Sequence, residues 1–246
     1  MKPYLIILGF SLFFFACKEQ TERKHDFSVH GIDVSHYQKK IDWKKVADQD
    51  IQFAFIKATE GETYKDSFFC ENWMEMKAAN IKRGAYHFFR PTLSPELQAI
   101  NFIETAELGH GDFYPVIDLE VTDEVSSEEL REKVNIWLSI IEGHYKVKPI
   151  IYTYQNFFND HLAGYYKDYP IWIARYTSWW KPRLCAGQDW QFWQYGNRGR
   201  LQGIDGNVDF NVFHGTSEEL ENYCIVRPEP LFIPPPVSEE LVAANP

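Results

Sequence analysis

FYPVIDLEVTDEVSSEELREKVNIWLSIIEGHYKVKPIIYTY, residues 113–154, decides the fold of this chain. It opens on FYPVIDLE (113–120), which is apolar at consecutive rather than alternate positions, the pattern of a strand covered on both faces. Ser126 and Glu129 then stand three apart as a capping box, and Leu130, Val134, Trp137, Leu138 and Ile141 follow one helical face. KPIIYTY (148–154) supplies a second strand, rich in β-branched and aromatic residues. Strand, helix and strand in that order are a unit of a parallel sheet.

The same alternation extends in both directions. Strands are expected at SVHGIDVS (28–35), QFAFIKAT (52–59), KRGAYHFF (82–89), YPIWIARY (169–176), WQFWQYG (190–196) and NVDFNVF (207–213). Helices are expected over 65–80 and from Ser94, where serine is the cap and Pro95 the first helical residue. No long helical pattern separates the last three strands. Eight strands with helices between only the earlier ones predict an irregular α/β barrel in one domain, spanning 28–215. Residues 216–246 are expected to be a proline-rich tail without a core-forming segment.

The 246 residues carry a formal charge of -10, so the chain has no basic field for holding phosphates, and no nucleic-acid partner is expected. Residues 4–16 are an apolar run behind Lys2, too short for a membrane span of roughly 20 residues. The run ends in Ala16-Cys17, which resembles a bacterial lipobox, with 1–16 as the signal and Cys17 as the lipidated residue. An exported, membrane-anchored lipoprotein is therefore expected, the alternative being an ordinary secretory signal. Residues 17–27 read as a flexible polar tether. Cys70, Cys185 and Cys224 are odd in number and show no C-x-x-C spacing; a Cys185–Cys224 disulfide is one option, simple burial another.

Function in such barrels gathers at the C-terminal ends of strands. Those ends read Asp33, Thr59-Glu60, His87, Asp118-x-Glu120, Tyr152 and Arg175-Tyr176, with Asp209 nearer the start of the eighth strand. Asp118 and Glu120 are two apart, so they share one face with Cα atoms about 6.6 Å apart. Like charges so close raise at least one pKa, which lets one carboxyl stay protonated while the other ionises. Glycoside hydrolysis needs that division, although a strand-end salt bridge or a metal site would use the same residues. Tyr86, Tyr152, Trp172, Tyr176, Trp190, Trp193 and Tyr195 lie on or beside the strand ends, and two or three of these rings are expected to touch a sugar. Lys57 is expected in an internal ion pair, and His36, His87 and His110 are expected to be structural. There is no G-x-S-x-G, no H-E-x-x-H and no glycine-rich phosphate loop, so no metal and no cofactor are expected.

GIDVSHYQ with IDW (31–43), FAFIKATEG (53–61), GAYHFF (84–89), PVIDLE (115–120), IIYTY (150–154), IWIARY (171–176), WQFWQY (190–195) and VDFNVF (208–213) together resemble the family 25 glycoside hydrolases, lysozymes of the Chalaropsis and phage-endolysin type. The resemblance covers residues 28 to about 215. It implies a (β/α)5β3 barrel and N-acetylmuramidase action on peptidoglycan glycan strands; the protein itself is expected to be a monomer. By position it implies Glu120 as general acid and then base, and Asp118 as the group that steadies the substrate's 2-acetamido nucleophile. Asp33 and Asp209 match two further active-site aspartates, and Tyr86, Tyr152, Trp172 and Tyr176 are the implied sugar contacts. A non-catalytic glycan-binding lipoprotein, or a hydrolase of another N-acetylated glycan, are the competing readings at this point.

Overall fold

The computed structural model describes residues 20–177 and 179–226. The expected signal over 1–16, the lipidation site Cys17 and the proline-rich residues from 227 onward lie outside the described residues. In chain order the elements are β1 (Val29–Val34), α1 (Trp43–Ala47), β2 (Phe53–Glu60), β3 (Tyr64–Lys65), α2 (Phe69–Ala78), β4 (Lys82–Phe88), α3 (Pro95–Thr105), β5 (Val116–Leu119), α4 (Ser127–Tyr145), β6 (Ile150–Tyr154), β7 (Ile171–Ala174), β8 (Phe192–Gly199) and β9 (Val208–Phe213). Two short helical turns, Gln155–Phe157 and Phe158–Leu162, follow β6. The sheet runs β1-β9-β8-β7-β6-β5-β4-β2, and pairing of β1 with β2 closes it into a barrel. All pairings around the ring are parallel except those of β9, which is antiparallel to both β1 and β8. Helical segments follow the first five barrel strands, and only the three-residue turn Cys185–Gly187 interrupts the loops between the last three, so this is the (β/α)5β3 architecture in a single domain.

The local signals act as their chemistry requires. Ser94 accepts from the Leu97 amide with Pro95 in the first helical turn. Ser126 accepts from the Glu129 amide, but the Glu129 carboxylate turns to Lys133 at 3.0 Å, so only half of the capping box forms. The helix expected from residue 65 starts at Phe69, because Tyr64 and Lys65 pair with the end of β2 instead. Leu130, Val134, Trp137, Leu138 and Ile141 of α4 are all buried against the barrel. Each such side chain contributes roughly 1.5–3 kcal/mol by leaving water.

Period-two alternation sorts every strand into two faces. Ile117, Leu119, Ile151, Ile171 and Ile173 face the helices. Val29, Phe53, Phe55, Val116, Ile150, Trp172, Phe192 and Phe213 face inward, where Phe55 stacks on Trp172 with centroids 4.4 Å apart. This aromatic filling needs two glycines. A Cβ on Gly31 would lie 2.4 Å from the Phe53 ring, and one on Gly84 would lie 2.5 Å from Phe55.

Two boundaries differ from the sequence expectation. Residues 217–226 are not tail: Leu220 and Cys224 pack against the bottom of the barrel with Phe213 and Phe192, and Phe113 forms a bridge with Cys224. The packed chain therefore extends to the end of the described residues, past 215, because these side chains close the floor. The expected tether 17–27 is also docked from Thr21 onward. Thr21 and Arg198 exchange hydrogen bonds, Lys24 lies 4.4 Å from the Trp193 ring, and Phe27 is buried beside Trp190 and Trp193. This strap covers the outer face of β8, where a regular barrel would place a helix. Cys70, Cys185 and Cys224 are all free; Cys185 is exposed and Cys224 is buried, so no disulfide joins them.

Candidate active site

The inward residues nearest the C-terminal strand ends form a cleft of about 220 Å³. Asp33 comes from β1, Lys57 from β2, Tyr86 and Phe88 from β4, Asp118 from β5 and Glu120 from the residue after it. Tyr152 and Tyr154 come from β6, Trp172 from β7, Tyr176 from the loop beyond, Gln194 from β8 and Asp209 from β9. Asp209 reaches this mouth because β9 runs backwards. Its first residues lie at the level where the other strands end, with Asp209 in register with Asp33.

Asp33 sits at the centre of a hydrogen-bond network. Its Oδ2 accepts from Gln194 Nε2 at 2.8 Å and from Asn211 Nδ2 at 2.7 Å. Gln194 Oε1 in turn accepts from the hydroxyls of Tyr152 and Tyr176, each at 2.8 Å, and Asn211 Oδ1 accepts from Trp172 Nε1 at 2.7 Å. Burial, then the neighbouring Asp209 charge, holds the Asp33 carboxyl well above the usual carboxylate range. Asp209 is pushed up to about 6 by burial, with the hydrogen bond from Asp33 pulling the other way. Asp33 is thus the member that favours keeping a proton, donating to Asp209, and the two resist ionising together.

Asp118 is buried, and its Oδ1 finds no hydrogen-bond partner among the described residues. Burial and the charge of Glu120 raise its pKa well above the ordinary value, and Lys57 opposes the shift. Glu120 is half-buried; burial raises its pKa, with Tyr152 and Lys57 drawing it down. Two carboxyls so close resist ionising together, so they share one proton, and burial favours keeping it on Asp118, the deeper of the two. Tyr86 is likewise raised, first by burial and then by the neighbouring acidic side chains Asp33, Asp118 and Asp209.

A β-bulge at Ala58 shifts the register of β2 against β4 between Lys57 and Thr59. In a regular strand, residues three apart point to opposite faces; the bulge places Lys57 and Glu60 on one face, 2.6 Å apart. Arg90 holds Glu60 from the other side at 2.7 Å. Lys57 is therefore an ion-paired residue that also lines the cleft.

Other strand-end residues turn away. Thr59 and His87 point outward and bond to each other at 2.7 Å; His87 also meets Gln98, and burial pushes its pKa down to about 4. Arg175 binds Gln155 and the Lys181 carbonyl, outside the cleft. Trp190, Trp193 and Tyr195 lie in the outer cluster beneath the strap, whereas Tyr86, Tyr152, Trp172 and Tyr176 line the cleft. Gln194 and Asn211 were missing from the sequence-derived set. Parity could have found them, since Gln194 shares a face with Phe192, and Asn211 with Asp209. Among the described residues, no group of His, Cys, Asp and Glu side chains is arranged to hold a metal ion.

The family model described as Glycosyl hydrolases family 25 matches residues 32–204. The protein YegX of Escherichia coli K12 is 44% identical over 202 residues, which is 80% of this chain and 74% of that one. Lysozyme M1 of Streptomyces globisporus is 33% identical over 210 residues, 78% of this chain and 70% of its own. A solved family 25 glycosyl hydrolase from Bacillus anthracis superimposes with a TM-score of 0.78 at 34% identity, covering 84% of this chain and 98% of that one.

Proposed function

Because this chain belongs to family 25 of the glycosyl hydrolases, we propose that it is a lysozyme, cleaving the β-1,4 bond between N-acetylmuramic acid and N-acetylglucosamine in peptidoglycan. The observation that carries the reading is the carboxyl pair of buried Asp118 and half-buried Glu120, of which Asp118 presents an oxygen without a partner among the described residues. A sugar N-acetyl N–H is a donor that such an oxygen lacks. Accepting it favours the ionised form of Asp118, and the shared proton then resides on Glu120.

Glu120 donates that proton to the glycosidic oxygen as the bond to the anomeric carbon breaks. The acetamido carbonyl oxygen bonds to the anomeric carbon, and ionised Asp118 steadies the positive charge that develops on the acetamide. Water then attacks the anomeric carbon, Glu120 removes its proton, and the acetamide is restored. Asp33 and Asp209 contribute as a pair that resists ionising together, which limits the negative charge in the cleft. Tyr86, Tyr152, Trp172 and Tyr176 are the rings against which the sugars rest. Purified peptidoglycan incubated with wild type should yield new muramic acid reducing ends, and Glu120→Gln should yield none. Release of glucosamine ends, or equal release by the variant, would refute the assignment.

The same reading includes export and lipidation at Cys17. It is supported by the apolar run 4–16 ending in Ala16-Cys17. Cys17→Ser should shift the protein from the membrane fraction to the aqueous one. Undiminished membrane association of that variant would count against the anchor.

A further inference from the structure

The strap over β8 enters at the catalytic end of the barrel, where Thr21 pairs with Arg198 near the end of β8. Cys17 is only four residues upstream of Thr21. An extended chain spans roughly 3.5 Å per residue, so Cys17 lies within about 14 Å of Thr21. A lipid on Cys17 would hold a bilayer surface close to the mouth, on the flank of β7 and β8.

That flank has an unusual surface. The loop after β7 carries Trp179 and Trp180, which are 87% and 66% exposed. The loop touches the strap: Lys181 Nζ lies 4.0 Å from the Asp26 carboxylate and 4.8 Å from the centroid of the Phe27 ring. From Arg175 to Arg200 the chain holds five cations (Arg175, Lys181, Arg183, Arg198 and Arg200) and one anion, Asp189, in a protein of net charge -10. Lys181, Arg183 and Arg200 are exposed. Indole rings favour the headgroup level of a bilayer, and cations are drawn to anionic lipid. Neither Trp179 nor Trp180 lines the catalytic cleft, where a sugar-stacking ring would sit.

We propose that Trp179, Trp180, Lys181, Arg183 and Arg200 form a surface that docks on an anionic phospholipid bilayer. The proposal rests on the reading of Cys17 as the lipidated residue. Anchor and surface together would hold the catalytic mouth beside the membrane, so the glycan strands nearest the membrane are the ones cleaved. Each exposed cation should strengthen partitioning onto anionic vesicles about fivefold.

The test uses the full-length protein reconstituted in vesicles of phosphatidylethanolamine and phosphatidylglycerol with acyl chains brominated near the headgroup. Mass spectrometry of the N-terminal peptide reports lipidation, and tryptophan quenching reports docking. With acyl mass on Cys17, quenching should be strong in wild type and largely lost in a Trp179→Ala/Trp180→Ala variant, while both hydrolyse soluble glycan strands equally. Equal quenching in the two proteins overturns the docking surface and leaves the anchor standing. An unmodified Cys17 overturns the anchor and the proposal with it. Unchanged quenching with slower hydrolysis of long strands overturns it in favour of a glycan platform.

Discussion

Replacing Asp209 with Asn should make this protein more stable and less active. In the fold the Asp209 carboxyl is raised from an ordinary 3.8 to about 6, chiefly by burial. The folded state therefore holds a proton that the unfolded state has released between those two values, and stability is lost as pH rises through that window. The difference of about two units corresponds to about 3 kcal/mol of cost at pH 7, since each unit is about 1.4 kcal/mol. Asn is nearly isosteric, carries no charge and can still accept from Asp33, so Asp209→Asn removes the cost while keeping the contact. A folded domain of this size shifts its midpoint roughly 2–4 °C per kcal/mol, which gives a gain of roughly 6–12 °C at pH 7. Thermal unfolding followed by circular dichroism at pH 7 and below pH 4 is the assay. The gain should vanish at the acid end, where both states of the wild type are protonated. A variant no more stable than wild type at pH 7, or a gain independent of pH, would refute the reasoning.

The pH profile of kcat/KM should fall on the alkaline side through a value above the ordinary glutamate range, because Glu120 must be protonated and burial raises its pKa. Lys57→Met removes the cation that lowers both Asp118 and Glu120, so that limb should move to higher pH; a limb that stays in place would show that Lys57 does not act on the pair. Gln194→Leu strips an acceptor from the Tyr152 and Tyr176 hydroxyls and a donor from Asp33, which keeps Asn211. The loss should be about 2–4 kcal/mol, read as a lower urea midpoint at unchanged slope. Gly84→Ala forces a Cβ to within 2.5 Å of the Phe55 ring and should cost about 1–3 kcal/mol. Gly143→Ala, in α4 with nothing within 4 Å of the added atom, should instead stabilise by about 0.5–1 kcal/mol, and equal effects of the two would contradict the aromatic packing of the barrel.

Much of the site is legible in the amino-acid sequence because it is written with period two. Val116, Asp118 and Glu120 share a face by counting, as do Ile150, Tyr152 and Tyr154, and an inward residue at a strand end must meet the mouth. Counting on through Phe192 and Asp209 also reaches Gln194 and Asn211, although the chemistry of amides is too ordinary to draw notice. The count along β4 sends His87 outward between Tyr86 and Phe88, but it sends Thr59 outward only once the bulge at Ala58 is known, since one extra residue reverses parity in β2. Helix α4 is readable from its cap and its apolar stripe, which are local properties of backbone and side chain.

The buried strand ending in Asp118-x-Glu120, the barrel class and the inward faces were therefore determined by the sequence alone, through short-range periodicity. Tertiary structure decided what depends on distant partners. It turned β9 around so that Asp209 meets Asp33, and it gave Asp33 two amide donors from β8 and β9. It laid the strap over β8, closed the floor with Leu220 and Cys224, and left Cys185 and Cys224 apart. It also withdrew the carboxyls from water, which is what raises their pKa. Strand direction, register and burial come from pairings between segments far apart in the chain, and no local pattern of residues encodes their outcome.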